Sequence, residues 1–162
     1  MNKNETKVVA EAGKQELLIT REFDAPRELV FRTFTEVELI KQWLGPCDMT
    51  MEVETMESYT GGSWRFIHTD PRGNEYGFHG VMHEVLKPAR LIRTFEFEGL
   101  PETGHVSLEI ATFDELPDNR TKLTIQCIFR SVVDRDGMVA SGMERGLNDS
   151  HENLDKLLAK LQ

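Results

Sequence analysis

From Met49 to Arg130 the chain repeats one pattern six times: nine to twelve residues with apolar side chains at alternate positions, then a short break holding Gly, Pro, Asn or Asp. In "MTMEVETME" (49–57), Met49, Met51 and Val53 share one face and Thr50, Glu52 and Glu54 the other. In "TKLTIQCIFR" (121–130), Leu123, Ile125, Cys127 and Phe129 point one way and Lys122, Thr124 and Gln126 the other. A period of two marks a strand with one wet face. Breaks as short as "DPRGN", "LPDN" and Lys87-Pro88 leave no length for a crossover helix, so the strands must be antiparallel neighbours.

Upstream, "QELLITREF" (15–23) spaces Leu17, Ile19 and Phe23 evenly and adds one more strand. "DAPRELVFRTFTE" then opens a helix, with Asp24 or Ala25 at the cap, Pro26 in the first turn, and Leu29, Val30, Phe34 and Val37 on its apolar face. A second short helix, "VELIKQWLGP", stops at Gly45-Pro46. From Gly137 to Leu161 the spacing changes again. Met143, Leu147, Ser150, Leu154, Leu157 and Leu161 recur every three or four residues, one stripe of a long helix, with Glu144, Asp149, Glu152, Asp155 and Lys156 on the wet side. The expected fold class is α+β, in the order β-αα-β6-α: a curved antiparallel sheet with a long C-terminal helix across its inner face. Residues 1–14 are polar and read as a flexible tail, ahead of a single domain over 15–162.

The charge balance narrows the partners. Nineteen Lys and Arg against 28 Asp and Glu give a net charge of −9, with no cationic run. Nucleic-acid affinity comes largely from neutralising phosphates, so nucleic acid and anionic membranes are poor candidate partners. The two cysteines, Cys47 and Cys127, lack the spacing of a metal site or disulfide framework and read as reduced thiols. No apolar run approaches 18 residues, and "MNKNETKVVAEAGK" has no signal-peptide core. A cytoplasmic protein is expected.

Three of five histidines fall within "HTDPRGNEYGFHGVMH" (68–83), which raises the question of a metal site. His79 and His83 share a strand face but stand about 13 Å apart, too far to chelate one ion. A hairpin register of Thr69 with Glu75 pairs His68 with Tyr76, Phe66 with Phe78 and Trp64 with Gly80, and turns His68 to the face opposite His79. No metal, cofactor or catalytic residue is therefore assigned. No G-x-S-x-G elbow or G-x-G-x-x-G loop is present either.

The aromatic residues are more informative. Trp64, Phe66, Phe78, Phe95 and Phe97 fall on the inward face of the sheet, with Trp43 and Met82 nearby and Met143 and Leu147 descending from the helix. Gly142, Gly146 and Gly80 remove side chains from both layers. That either lets backbones approach or leaves a void lined by large apolar groups, where ligands bind. These residues are the candidate lining. Arg93, Ser150 and His151 are the candidate polar contacts.

"ITREFDAPRELVFRTFTEVELIKQWLGP", "GGSWRF", "DPRGNEYGFHGVMHEVLKPARLIRTF" and "GMERGLNDSHENLDKLLAKL", in this order, resemble the activator of heat-shock protein 90 ATPase homologue family. That family lies within the START-like (SRPBCC) superfamily, which includes the birch pollen allergen and steroid-transfer domains. The resemblance covers about residues 15–161 and implies a helix-grip fold, a curved sheet wrapped around its last helix with an apolar cavity between. It departs at Trp43-Leu44, where the family often has two tryptophans, and at Leu147, where the last helix often carries one. The expected function is binding of a small apolar or amphipathic ligand. Two alternatives stay open: a chaperone-binding module, for which the co-chaperone's N-terminal domain would have no room here, and a cyclase- or hydrolase-like enzyme using Arg93, His79 or His151. An exposed sheet edge leaves homodimerisation open as well.

Overall fold

The computed structural model describes residues 4–162. Eight strands form one antiparallel sheet: β1 (Lys7–Val9), β2 (Glu16–Phe23), β3 (Thr50–Met56), β4 (Ser63–Thr69), β5 (Glu75–Leu86), β6 (Arg90–Phe97), β7 (Ser107–Leu116) and β8 (Arg120–Phe129). Their order across the sheet is β1-β2-β8-β7-β6-β5-β4-β3. The helices α1 (Arg27–Thr35) and α2 (Val37–Ile40) connect β2 to β3, and α3 (Val132–Ala140) and α4 (Met143–Lys160) follow β8. This is the expected α+β helix-grip arrangement. No helix of the described residues is long and apolar enough to cross a membrane.

The β4–β5 hairpin takes the register expected from the sequence, with His68 opposite Tyr76, Phe66 opposite Phe78 and Trp64 opposite Gly80. Its "DPRGN" turn is closed by Asp70, whose Oδ1 accepts from the backbone N–H groups of Arg72 and Asn74, each at 2.9 Å. This Asx geometry needs no help from the rest of the fold.

Three features differ from expectation. The polar tail contains strand β1, whose residues Lys7, Val8 and Val9 pair with Thr20, Ile19 and Leu18, and Asn4 and Thr6 are buried. Thr6 holds His151 at 2.7 Å, so side-chain anchoring fixes a segment too short to announce itself by periodicity. The long C-terminal helix is two helices. Ser131 caps α3 by accepting from the Asp134 N–H, and Gly142 at φ +84° breaks the chain before α4, because a helix cannot run through the left-handed region. Finally, Asp155 does not face water freely: it pairs with Arg21, whose side chain is 4% exposed.

The solid core lies under the C-terminal half of α4. Leu154, Leu157 and Leu158 pack with Phe23, Val30, Phe31, Phe113 and Leu123, all buried. At the N-terminal end of α4, Met143 and Leu147 are only half-buried. One helix thus seals the core at one end and roofs a hollow at the other.

Candidate functional site

The inner face of the sheet is set by strand parity. Leu91, Arg93, Phe95 and Phe97 of β6 point inward, as do Ser107, Glu109 and Ala111 of β7. Leu17 and Ile19 of β2 and Ile125, Cys127 and Phe129 of β8 complete the face. Under α4 these side chains enclose an inner pocket of about 260 Å³. It opens past His68, Phe78, Phe95 and Met143 into an outer cleft of about 920 Å³ between α3 and the β6–β7 loop.

One wall is a chain of rings. Centroids lie 4.8 Å apart for Trp64 and Phe66, 5.9 Å for Trp64 and Phe95, 5.5 Å for Phe78 and Phe95, and 5.2 Å for Phe78 and Phe97. Such tilted spacings are those in which ring quadrupoles attract. Trp43 continues the lining from beyond α2, its indole Nε1 donating to Thr33 O at 2.8 Å. Gly45, at φ +109°, lets this segment turn over His68, since a Cβ there would meet the imidazole at 2.8 Å. Its N–H donates to Ser150 Oγ at 2.8 Å and ties the segment to α4.

Of the candidate lining residues, Trp43, Trp64, Phe66, Phe78, Phe95, Met143, Gly146 and Leu147 face the inner pocket, and Phe97 and Gly142 face the outer cleft. Gly80 and Met82 line neither. A Cβ on Gly80 would lie 1.9 Å from Thr94 O and 2.6 Å from Trp64 Nε1, so the missing side chain admits backbone and indole rather than leaving space. Met82 is wholly buried in the core beside them.

All three candidate polar residues line the inner pocket. Arg93 stacks on Trp64, its guanidinium carbon 4.3 Å from the ring centroid, and its Nε donates to Glu109 Oε1 at 2.8 Å. Ser150 accepts from Gly45, and His151 Nδ1 meets Thr6 Oγ1. Burial, with the nearby Arg21 charge, pushes His151 down to about 3, so its ring is neutral near pH 7. His79 is elsewhere, on the outer face between Glu98 (2.8 Å) and Glu96 (3.5 Å). Of the residues considered for an enzyme, Arg93 and His151 thus share the inner pocket and His79 does not. Among the described residues, no group of three or more His, Cys, Asp or Glu could hold a metal ion.

Sequence reasoning passed over Glu109, Ser107, Cys127 and His68 as lining. The signal was in β7, whose apolar Leu108 and Ile110 face outward while Ser107 and Glu109 face inward beside Phe95 and Cys127. A strand with its polarity reversed over part of its length marks a polar spot on a buried face. Desolvation raises the Cys127 thiol well above its ordinary value, so it stays protonated, 4.0 Å from Glu109 Oε2.

The fold matches solved structures over nearly the whole chain. A protein from Rhodobacter sphaeroides shares 24% identity at a TM-score of 0.87, covering 96% of this chain and 99% of that one. A protein from Arthrobacter aurescens shares 25% at 0.84, covering 95% and 91%. The AHSA1 protein from Silicibacter pomeroyi shares 20% at 0.74, covering 91% and 99%. No curated protein matches. The family model described as "Activator of Hsp90 ATPase homolog 1-like protein" matches residues 24–159, and with that match the chain belongs to this START-like family.

Proposed function

We propose that this protein binds a small apolar or amphipathic molecule in the pocket between the sheet and α4. What supports the reading is the inner pocket of about 260 Å³, walled by aromatic side chains and carrying one ion pair on its floor. Pockets of roughly this size, apolar with a few convergent polar groups, are the form that small-molecule sites take. The driving force is burial of ligand surface, about 25 cal/mol per Å² before ordering costs. A chaperone-binding role has the family name as its support.

The test uses N-phenyl-1-naphthylamine, an uncharged dye whose emission rises in apolar surroundings. The wild-type protein should show saturable enhancement. Leu147→Trp fills the roof of the inner pocket with an indole and should weaken binding at least about tenfold. No saturable signal, or equal binding by a folded Leu147→Trp protein, would overturn the proposal.

A further inference from the structure

The charges in the inner pocket nearly cancel. Five titratable side chains line it: His68, Arg93, Glu109, Cys127 and His151. Desolvation holds both imidazoles down and the thiol up, so all three are neutral near pH 7. The two remaining groups are opposite charges already in contact, Arg93 Nε to Glu109 Oε1 at 2.8 Å. A further charge beside His151, Arg21, is matched by Asp155. In the outer cleft, Glu102 and Asp134 are already paired with Arg130 and with His105. An anion would therefore reach a site that offers no free counter-charge. A cation would find Glu109 already occupied.

Hydrogen-bonding capacity, in contrast, is left over. Among the described residues, neither ring nitrogen of His68 and neither terminal nitrogen of Arg93 has a protein partner, although His68 is only 8% exposed. His68 lines both the inner pocket and the outer cleft, with Phe78 edge-on at 5.3 Å. Arg93 and Glu109 together present donors and an acceptor at one spot on the floor. A hydroxyl satisfies both, accepting from the guanidinium and donating to the carboxylate. Polar groups that line an apolar pocket without protein partners favour ligands that supply those partners.

Resting on the ligand-binding reading above, the geometry points to an uncharged aromatic ligand. It carries a hydroxyl that meets Arg93 and Glu109 on the floor, and a second hydrogen-bonding oxygen that meets His68 at the throat. Carboxylates such as fatty acids are rejected, because a buried ion with no counter-charge is strongly disfavoured by desolvation.

Five probes sharing one ring system separate these claims: naphthalene, 2-naphthol, 2,6-dihydroxynaphthalene, 2-naphthoate and 2-naphthylmethylammonium. Calorimetric Kd values at pH 7 would be read beside the two indole N–H signals in ¹H–¹⁵N spectra, since Trp43 and Trp64 both line the inner pocket. The wild-type protein should bind 2-naphthol at least about tenfold tighter than either ion and several-fold tighter than naphthalene. Glu109→Gln leaves Arg93 uncompensated at nearly unchanged side-chain volume, and should shift the preference towards 2-naphthoate by at least about tenfold. His68→Phe should lower affinity for 2,6-dihydroxynaphthalene and leave that for 2-naphthol within about twofold. If naphthalene binds and 2-naphthoate equals or exceeds 2-naphthol, the neutral-ligand inference fails while the binding reading stands. If none of the probes moves the indole signals, both fail.

Discussion

Arg21 is a charged side chain on the inner face of β2, and its fate shows what single residues do in this molecule. It is 4% exposed, stacks 5.6 Å from the Phe23 ring and takes its counter-charge from Asp155 on α4. Its Nε is buried and, among the described residues, has no acceptor. Asp155→Asn would strand that charge and should cost about 3 kcal/mol in urea unfolding, the usual penalty for breaking rather than replacing a buried pair. Near it, His151 predicts a pH response. Its native pKa of about 3 lies below the unfolded value of about 6.5. The unfolded chain therefore binds the extra proton first, and stability present above pH 6.5 is lost as pH falls towards 3. His68, also lowered by burial, acts in the same direction, and Asp155, raised by burial, acts in the opposite one. Urea midpoints measured from about pH 7.5 to 5 should fall for the wild type, and His151→Gln should flatten the slope. An equal slope in both proteins would refute the assignment.

Among the elements, the glycines separate two kinds of constraint. Gly142 sits at φ +84° with nothing within 4 Å of where a Cβ would stand, so Gly142→Ala should cost only backbone strain, about 1 kcal/mol. Gly80 sits in β5 with Thr94 O where its Cβ would be. Gly80→Ala must push β6 away and should cost about 3 kcal/mol, with loss of amide protection along the β5–β6 pairing. The strands, the hairpin register and the last helix's stripe could be read from the chain because alternation and turn residues are local signals. The sequence did not separate α3 from α4: the expected helix begins at Gly137, its apolar stripe starts only at Met143, and the φ of +84° at Gly142 between them is decided by the fold. Strand β1 was invisible for another reason. Three residues carry no period, and what holds the segment is Thr6 and Arg135, the latter donating to the carbonyls of Glu11 and Glu16. The aromatic lining was legible from parity. Glu109 was not, because its role depends on which face of β7 the pocket adjoins.

For the whole molecule, the division of α4 between a sealed core and a roofed hollow is the organising fact. Leu154 is fully buried at the sealed end, and Leu154→Ala should cost about 2–5 kcal/mol in urea unfolding. Leu147 roofs the hollow, and a larger side chain there should reduce binding rather than stability. The ion pair on the pocket floor gives the hollow a polar address without a net charge. Whether a ligand occupies that hollow can be read by purifying the protein from its own host and recording native mass spectra with gentle and then stronger activation. A ligand-binding pocket should give a stoichiometric adduct that is released as a small uncharged molecule and is absent from the Leu147→Trp protein. A bare chain under gentle conditions, or an adduct retained unchanged by Leu147→Trp, would contradict it.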